Sequence, residues 1–137
     1  ASARRATAAG YAALGTSSAA IASALGYADG EALPFDALCY MVGRIRSASH
    51  LPLSVDAEGG YSRDPAQMAA NLATLASLGV AGVNLEDSVV VNGQRQLLDS
   101  AQFADTLQQL RALLEQQQVA DAFQERRQVL AVDVFHR

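Results

Sequence analysis

Tryptophan is absent and cysteine occurs once, at Cys39. One thiol cannot form an internal disulfide, and inside an apolar stretch of helical spacing it reads as a small core residue rather than a nucleophile. Basic residues are outnumbered, ten against fourteen acids for a net charge of −4. That balance argues against a nucleic-acid surface and fits a soluble, cytoplasmic protein. No run of about 18 apolar residues is present to span a bilayer, so no membrane role is expected. The signatures GxGxxG, GxxxxGK followed by Ser or Thr, and GxSxG are missing, and with them the local marks of dinucleotide, P-loop and serine-hydrolase sites. His50 and His136 have no partner at metal or triad spacing, so neither is given a role. No low-complexity linker and no second domain are visible. Acids are also missing from the N-terminal segment, where nothing before Asp29 is acidic and Ala, Ser and Arg abound. Transit peptides share that composition. The reading preferred here is an amphipathic helix and a strand of the domain itself. There is no initiator Met, so the chain is expected to begin partway through a longer protein.

Half of the 137 residues are hydrophobic, enough for one domain, residues 1–137, with a real core. Tyr11 to Thr16 reads as a strand, and Ala19 to Leu25 as a short helical turn. Phe35, Leu38, Met41, Val42 and Ile45 recur at helical spacing after Pro34. Leu51 to Asp56 is a compact strand. Asp64 can cap a helix with Pro65 in its first position, and Met68, Leu72, Leu75 and Ala76 form its apolar face up to Gly79. "VAGVNLED" is a further strand. Asp99 or Ser100 starts a helix with a stripe of Phe103, Leu107, Leu110 and Leu114, and "QVLAVDVF" is a last strand. Alternating helices and mostly apolar strands point to a parallel sheet with helices outside, an α/β fold.

Two strands finish in acids. Asp56 and Glu58 close one and Glu86-Asp87 the next, about one βαβ unit later. In parallel α/β folds the ligand site lies beyond the carboxyl ends of the strands. In extended geometry positions 56 and 58 point the same way, so Asp56, Glu58 and Glu86 are expected to face one small volume. Unpaired carboxylates there would raise one another's pKa, and a hard divalent cation would remove that cost. Taken singly, each acid has a plainer use. Asp56 and Glu58 could cap the next helix, and Glu86-Asp87 could pair with Arg63 or Arg95. "TSSAA", Thr16 to Ala20, follows a strand and offers backbone amides to an anion. "GYADGE" supplies Asp29 and Glu31, which read as loop acids.

"LPLSVDAEGGYSRDP", "LGVAGVNLEDS" and, upstream, "TSSAAIASALGYADGE" together resemble the isocitrate lyase/phosphoenolpyruvate mutase superfamily. The resemblance runs from about Ala1 to Leu114. It implies a parallel (β/α) barrel of the phosphoenolpyruvate mutase type, here only about half of a (β/α)8 barrel. It also implies Mg²⁺ and a small 2-oxo acid or related carboxylate at the strand ends. By position, Asp56 matches the metal-binding Asp, and Glu58 and Glu86 the acids that complete the metal site. Asp29 matches an acid near metal and substrate, which makes Asp29, Asp56 and Glu86 the candidate catalytic groups. Thr16, Ser17, Ser18 and Ala19, with Asp56, are the implied substrate-binding residues. Asn84 and Asp87 flank the site.

The sequence also departs from the pattern. Lyase members carry a Cys-bearing loop after the fourth strand, where this chain reads "SVVVNGQRQLLDS". The next strand end usually holds a substrate-binding Arg, where alignment places Phe135; Arg137 reaches that position only with a two-residue register shift. The Trp-Asp start of the family's first strand is missing, and the fold typically takes about 250 residues. The resemblance therefore implies a Mg²⁺-dependent lyase or decarboxylase-like enzyme working through a metal-stabilised enolate, with phosphonopyruvate-type P–C chemistry second. The rival expectation is a truncated, non-catalytic barrel fragment or an assembly-dependent scaffold. Open parallel edges imply a homo-oligomer or the missing remainder of the barrel as partner.

Overall fold

A computed structural model describes residues 2–117. Three short strands, β1 (Leu14–Gly15), β2 (Leu53–Asp56) and β3 (Gly82–Asn84), form a parallel sheet in the order β1-β2-β3. The helices are α1 (Ser2–Ala8), α2 (Ser18–Ala24), α3 (Phe35–Arg46), α4 (Pro65–Ser77) and α5 (Ser100–Gln116). Between β3 and α5 lies an antiparallel hairpin of β4 (Ser88–Val91) and β5 (Gln94–Leu97). The architecture is α/β with parallel strands. The strand expected at "QVLAVDVF", with Phe135 and Arg137, lies outside the described residues.

Local chemistry sets the helix starts. Asp64 caps α4 by accepting from the Ala66 amide at 3.1 Å, with Pro65 next in the helix. Asp99 caps α5 through the Gln102 amide at 3.0 Å, and Ser17 caps α2 through the Ala20 amide at 3.3 Å. Such caps each contribute about 1 kcal/mol. Gly79, with φ +86°, takes the left-handed turn that ends α4. In α1 no residue is fully buried, but Ala3, Ala6 and Thr7 are half-buried on one face and the others are exposed, the pattern of an amphipathic surface helix.

The apolar stripes meet in one core. Leu38 and Val42 of α3, Leu72 and Leu75 of α4, and Leu110 and Leu114 of α5 pack with Leu53, Val55 and Val83 of the sheet. Cys39 is half-buried against this cluster, and burial raises its thiol pKa, as suits a packing residue. The strands are less uniformly apolar than the sequence reading expected. Leu53 and Val55 are buried while Ser54 and Asp56 alternate onto a half-buried face. That second face carries the polar groups that lead to Asp56. Among the described residues no helix is long and apolar enough to cross a membrane.

Candidate functional site

The carboxyl ends of β1, β2 and β3 lie side by side, because Gly15 pairs with Ser54 and Asp56 with Asn84. Asp56 is the hub. Its amide donates to Thr16 Oγ1 at 2.9 Å. Its Oδ2 accepts from the Ser18 amide at 3.1 Å and from Ser18 Oγ at 2.8 Å. Its Oδ1 accepts from the Glu58 amide at 3.2 Å. The Thr16–Ala20 turn does hold an anion, and in this structure the anion is the carboxylate of Asp56.

The chain does not stay extended beyond Asp56. Glu58 has φ +49°, in the left-handed region, so the expected same-side alternation of positions 56 and 58 fails. Glu58 is instead folded inward, 3 % exposed, with Oε2 accepting from the Glu31 amide at 2.5 Å. Burial pushes its pKa up to about 7; the Glu31 amide opposes that rise, and the charges of Asp29, Glu31 and Asp56 add to it. Glu31 (φ +63°) and Tyr61 (φ +59°) are also left-handed. Each such residue costs on the order of 1–3 kcal/mol and persists only when its surroundings hold it. Here the Glu31 carboxylate does the holding, accepting from the Tyr61 amide at 2.9 Å and pairing with Arg63 at 2.9 Å. From α4, buried Asn71 donates to the Gly60 carbonyl at 2.9 Å.

The double glycine follows from this crowding. A Cβ on Gly59 would stand 2.7 Å from Arg63 Nη1 and 3.0 Å from Glu31 Oε1. On Gly60, at φ +87°, it would stand 2.8 Å from Met68 Cε. The Tyr61 ring packs on Phe35 at a centroid distance of 5.4 Å. Its hydroxyl is buried toward Glu58 but makes no hydrogen bond of normal geometry among the described residues. Burial, followed by the nearby carboxylates, raises its pKa.

Glu86 lies two residues past β3, not at its end as expected, and its amide donates to the Glu58 carbonyl at 2.7 Å. Glu86 Oε2 accepts from Ser88 Oγ at 3.2 Å and is ion-paired with Arg95 Nη1. Arg95 Nη2 reaches exposed Asp29 at 3.2 Å. The plainer use of Glu86, a pair with Arg95, is therefore present. Asn84 Oδ1 accepts from Ser54 Oγ at 3.4 Å, and the Asp87 carbonyl accepts from the Leu98 amide at 2.8 Å.

Glu58 and Glu86 share a cleft of about 60 Å³ with Gly30, Glu31, Ser88 and Arg95, and Asp56 lies outside it. The cleft has room for an ion or a few waters. A larger groove of about 720 Å³ runs between α1, α2 and α3. Its walls are mainly apolar and hold none of the acids. Asp56, Glu58 and Glu86 thus occupy one rim, but each carboxylate has its own partner. Among the described residues no three acids stand together as a ready metal cage. The expected gathering of the three carboxylates is corrected to this extent: the left-handed turn at Glu58 and the serine contacts of Asp56 separate them.

Sequence reasoning undervalued Glu31, Tyr61 and the hairpin. Asn92-Gly93 between two four-residue segments is the signature of a two-residue hairpin turn. Both residues have positive φ, +52° and +75°. That signal would have placed Arg95 on a strand facing the acids. Nothing local marks Glu31 as different from other loop acids.

A family model described as phosphoenolpyruvate phosphomutase matches residues 1–126. Among solved structures, a Burkholderia cenocepacia J2315 protein described as a phosphonomutase is 35 % identical. Its TM-score is 0.77, with 85 % of this chain and 46 % of that chain covered. A 2,3-dimethylmalate lyase of the PEP mutase/isocitrate lyase superfamily is 26 % identical at TM-score 0.73, covering 84 % and 40 %. Oxaloacetate acetylhydrolase in complex with its product oxalate shares the fold at 23 % identity and TM-score 0.73, covering 85 % and 41 %. The chain therefore spans less than half the length of these structures, as a partial barrel of their type. Among curated proteins no sequence matches it.

Proposed function

The chain belongs to the phosphoenolpyruvate phosphomutase family, and from that premise we propose that it serves a Mg²⁺-dependent, lyase or decarboxylase-like reaction on a small 2-oxo acid in the cytoplasm. The observation that carries this reading is the placement of Asp56, Glu58 and Glu86 around one rim, with the β1 turn bonded to Asp56. The relatives act on small carboxylates of related kinds: one is a lyase of a substituted malate, a 2-hydroxy acid, and another acts on oxaloacetate, a 2-oxo acid.

The carboxylate character of the rim suits a hard divalent cation, but among the described residues no three of the acids stand together to hold one, and the Arg95 guanidinium already lies between Asp29 and Glu86. Asp56, Glu58 and Glu86 would hold the metal, leaving their present partners to do so. When bound, a divalent cation supplies Lewis acidity toward negative charge building on a substrate oxygen. The rest falls to the chain. Ser18 and Thr16 orient Asp56, and the Glu31 amide and carboxylate keep the Glu58 loop in its left-handed turn. Ser17 and Ala19 flank Ser18, the residue bonded to Asp56, and would meet the substrate's anionic end. Asp29, paired with Arg95, is the proposed proton-transfer group.

Calorimetry with Mg²⁺ and oxalate, a planar mimic of an enolised 2-oxo acid, tests the reading. Wild-type protein is expected to bind oxalate only with Mg²⁺ present, and Asp56→Ala to lose both ligands. The enzyme reading fails if neither ligand binds and Asp56→Ala changes nothing.

Two observations favour other readings. The 35 % identity to a protein described as a phosphonomutase favours phosphonopyruvate-type P–C chemistry as second choice. The Arg95 ion pairs on Asp29 and Glu86 favour a non-catalytic, assembly-dependent scaffold, completed by another copy or by the remainder of a barrel. Size-exclusion chromatography with light scattering separates a lone chain from such an assembly.

A further inference from the structure

The groove between α1, α2 and α3 takes no part in the function proposed above. Ala3 and Ala6 of α1 and Ala20 and Ala24 of α2 line it and are too short to close it. Its apolar lining is continuous with the core. Leu14, Met41 and Ile45 pack against the core cluster yet stay half-buried, and each turns its remaining surface to the groove. The volume of about 720 Å³ is that of a small-molecule site, for which about 300–1,000 Å³ is usual.

Charge decides what enters. The protein carries a net charge of −4, yet the charged residues lining this groove are both arginines, Arg4 of α1 and Arg44 of α3. Among the described residues neither has a carboxylate partner, whereas Arg63, Arg95 and Arg111 each have one. A lone exposed arginine is ordinary. Two without an acid, over an apolar floor, attract an anion and repel a cation. The floor favours a ligand with an apolar chain, because burying that chain removes it from water. A guanidinium presents a planar fork of donors that matches a carboxylate. Thr16 also lines the groove, and its Oγ1 accepts from the Asp56 amide at 2.9 Å. An occupant therefore touches the turn that holds Asp56.

We propose that this groove binds an amphiphilic carboxylate, a straight apolar chain ending in a single carboxylate, with the chain on the Leu14, Met41 and Ile45 floor and the head group at Arg4 and Arg44. The site is separate from the cleft at Glu58 and Glu86, and it depends neither on a metal nor on the proposed reaction. Decanoate, kept below the concentration at which it forms micelles, is the probe. Calorimetry on the full chain reads its affinity, and amide chemical shifts read its place. Decanol and decyltrimethylammonium carry the same chain without the negative charge. Thermal melts confirm that each variant is folded.

Decanoate is expected to bind at a single site and to shift the amides of Leu14 to Ser17, of Ile45 and, through Thr16, of Asp56. Octanoate, two methylenes shorter, should bind roughly 10-fold more weakly. Decanol should bind more weakly than decanoate, and decyltrimethylammonium should not bind. Arg44→Gln should weaken decanoate roughly 10-fold, the loss of a charge-assisted contact, and leave decanol unchanged. Ala24→Leu, at an exposed position, puts a side chain into the groove and should abolish binding of both. The inference is overturned if decanoate does not bind, if decanol binds as tightly, or if Arg44→Gln changes nothing. Shifts centred on the hairpin, where Val91 and Leu97 are exposed, also overturn it. So does light scattering that shows a dimer to which decanoate does not bind, since a second copy then covers the groove.

Discussion

Replacing Glu58 by glutamine is expected to stabilise the protein at neutral and alkaline pH and to leave it unaltered in acid. Glu58 is 3 % exposed, and its pKa rises from 4.5 to about 7, first through burial and then through the charges of Asp29, Glu31 and Asp56. Between those two values the folded protein keeps a proton that the unfolded chain has released. Stability therefore falls as pH rises through that window, and the full penalty is present above the folded value. The gap between 4.5 and about 7, at 1.36 kcal/mol per unit, puts the penalty at about 3 kcal/mol.

Glutamine carries no charge and still presents an oxygen to the Glu31 amide, so Glu58→Gln removes the penalty without orphaning that donor. Urea and thermal unfolding of both proteins at pH 4, 6 and 8 measure the difference. The curves should coincide at pH 4 and separate by about 3 kcal/mol at pH 8, roughly 10 °C in Tm for a domain of this size. Parallel stability profiles across that range would refute the argument that the carboxylate is buried against its will. So would a variant less stable than wild type throughout, which would mean that the charge is needed where it sits.

Gly60→Ala combines a left-handed backbone with a contact 2.8 Å from Met68 Cε, whereas a Cβ on Gly93, at φ +75°, meets nothing within 4 Å. Gly93→Ala should cost about 1 kcal/mol in urea unfolding and Gly60→Ala clearly more. Equal losses would show that the packing around Met68 yields freely. Tyr61→Phe removes a buried hydroxyl that faces Glu58 without a hydrogen bond of normal geometry among the described residues. It should be neutral or stabilising by up to about 1 kcal/mol; a loss larger than that would reveal an occupant, such as a bound water, at that position. Asp99→Ala removes the cap of α5 and should cost about 1 kcal/mol, visible as reduced helicity on heating.

The elements were legible wherever a local rule governed them. Asp64-Pro65 and Asp99 start their helices as the capping rules require, and the apolar stripes of α3, α4 and α5 form the core. Asp56 at the carboxyl end of β2 was legible too, because strand length is a property of short segments, whereas Glu86 falls two residues beyond β3. "DAEGG" was half-read. The glycines announced a tight loop, but not that Glu58 itself would take the left-handed turn, since only the Asp56 carboxylate and the Glu31 amide together make that conformation tolerable. The hairpin was legible in Asn92-Gly93, the residues of its two-residue turn.

From the chain alone come the class of fold, the rim on which chemistry would sit and the carboxylate character of that rim, because each follows from patterns a few residues long. Tertiary structure alone decided the partners: Ser18 for Asp56 across 38 positions, Glu31 for Glu58 across 27, and Arg95 for Asp29 across 66. A side chain's ionisation and its choice of partner depend on which backbones approach it and how much water they exclude. No local pattern encodes those distances.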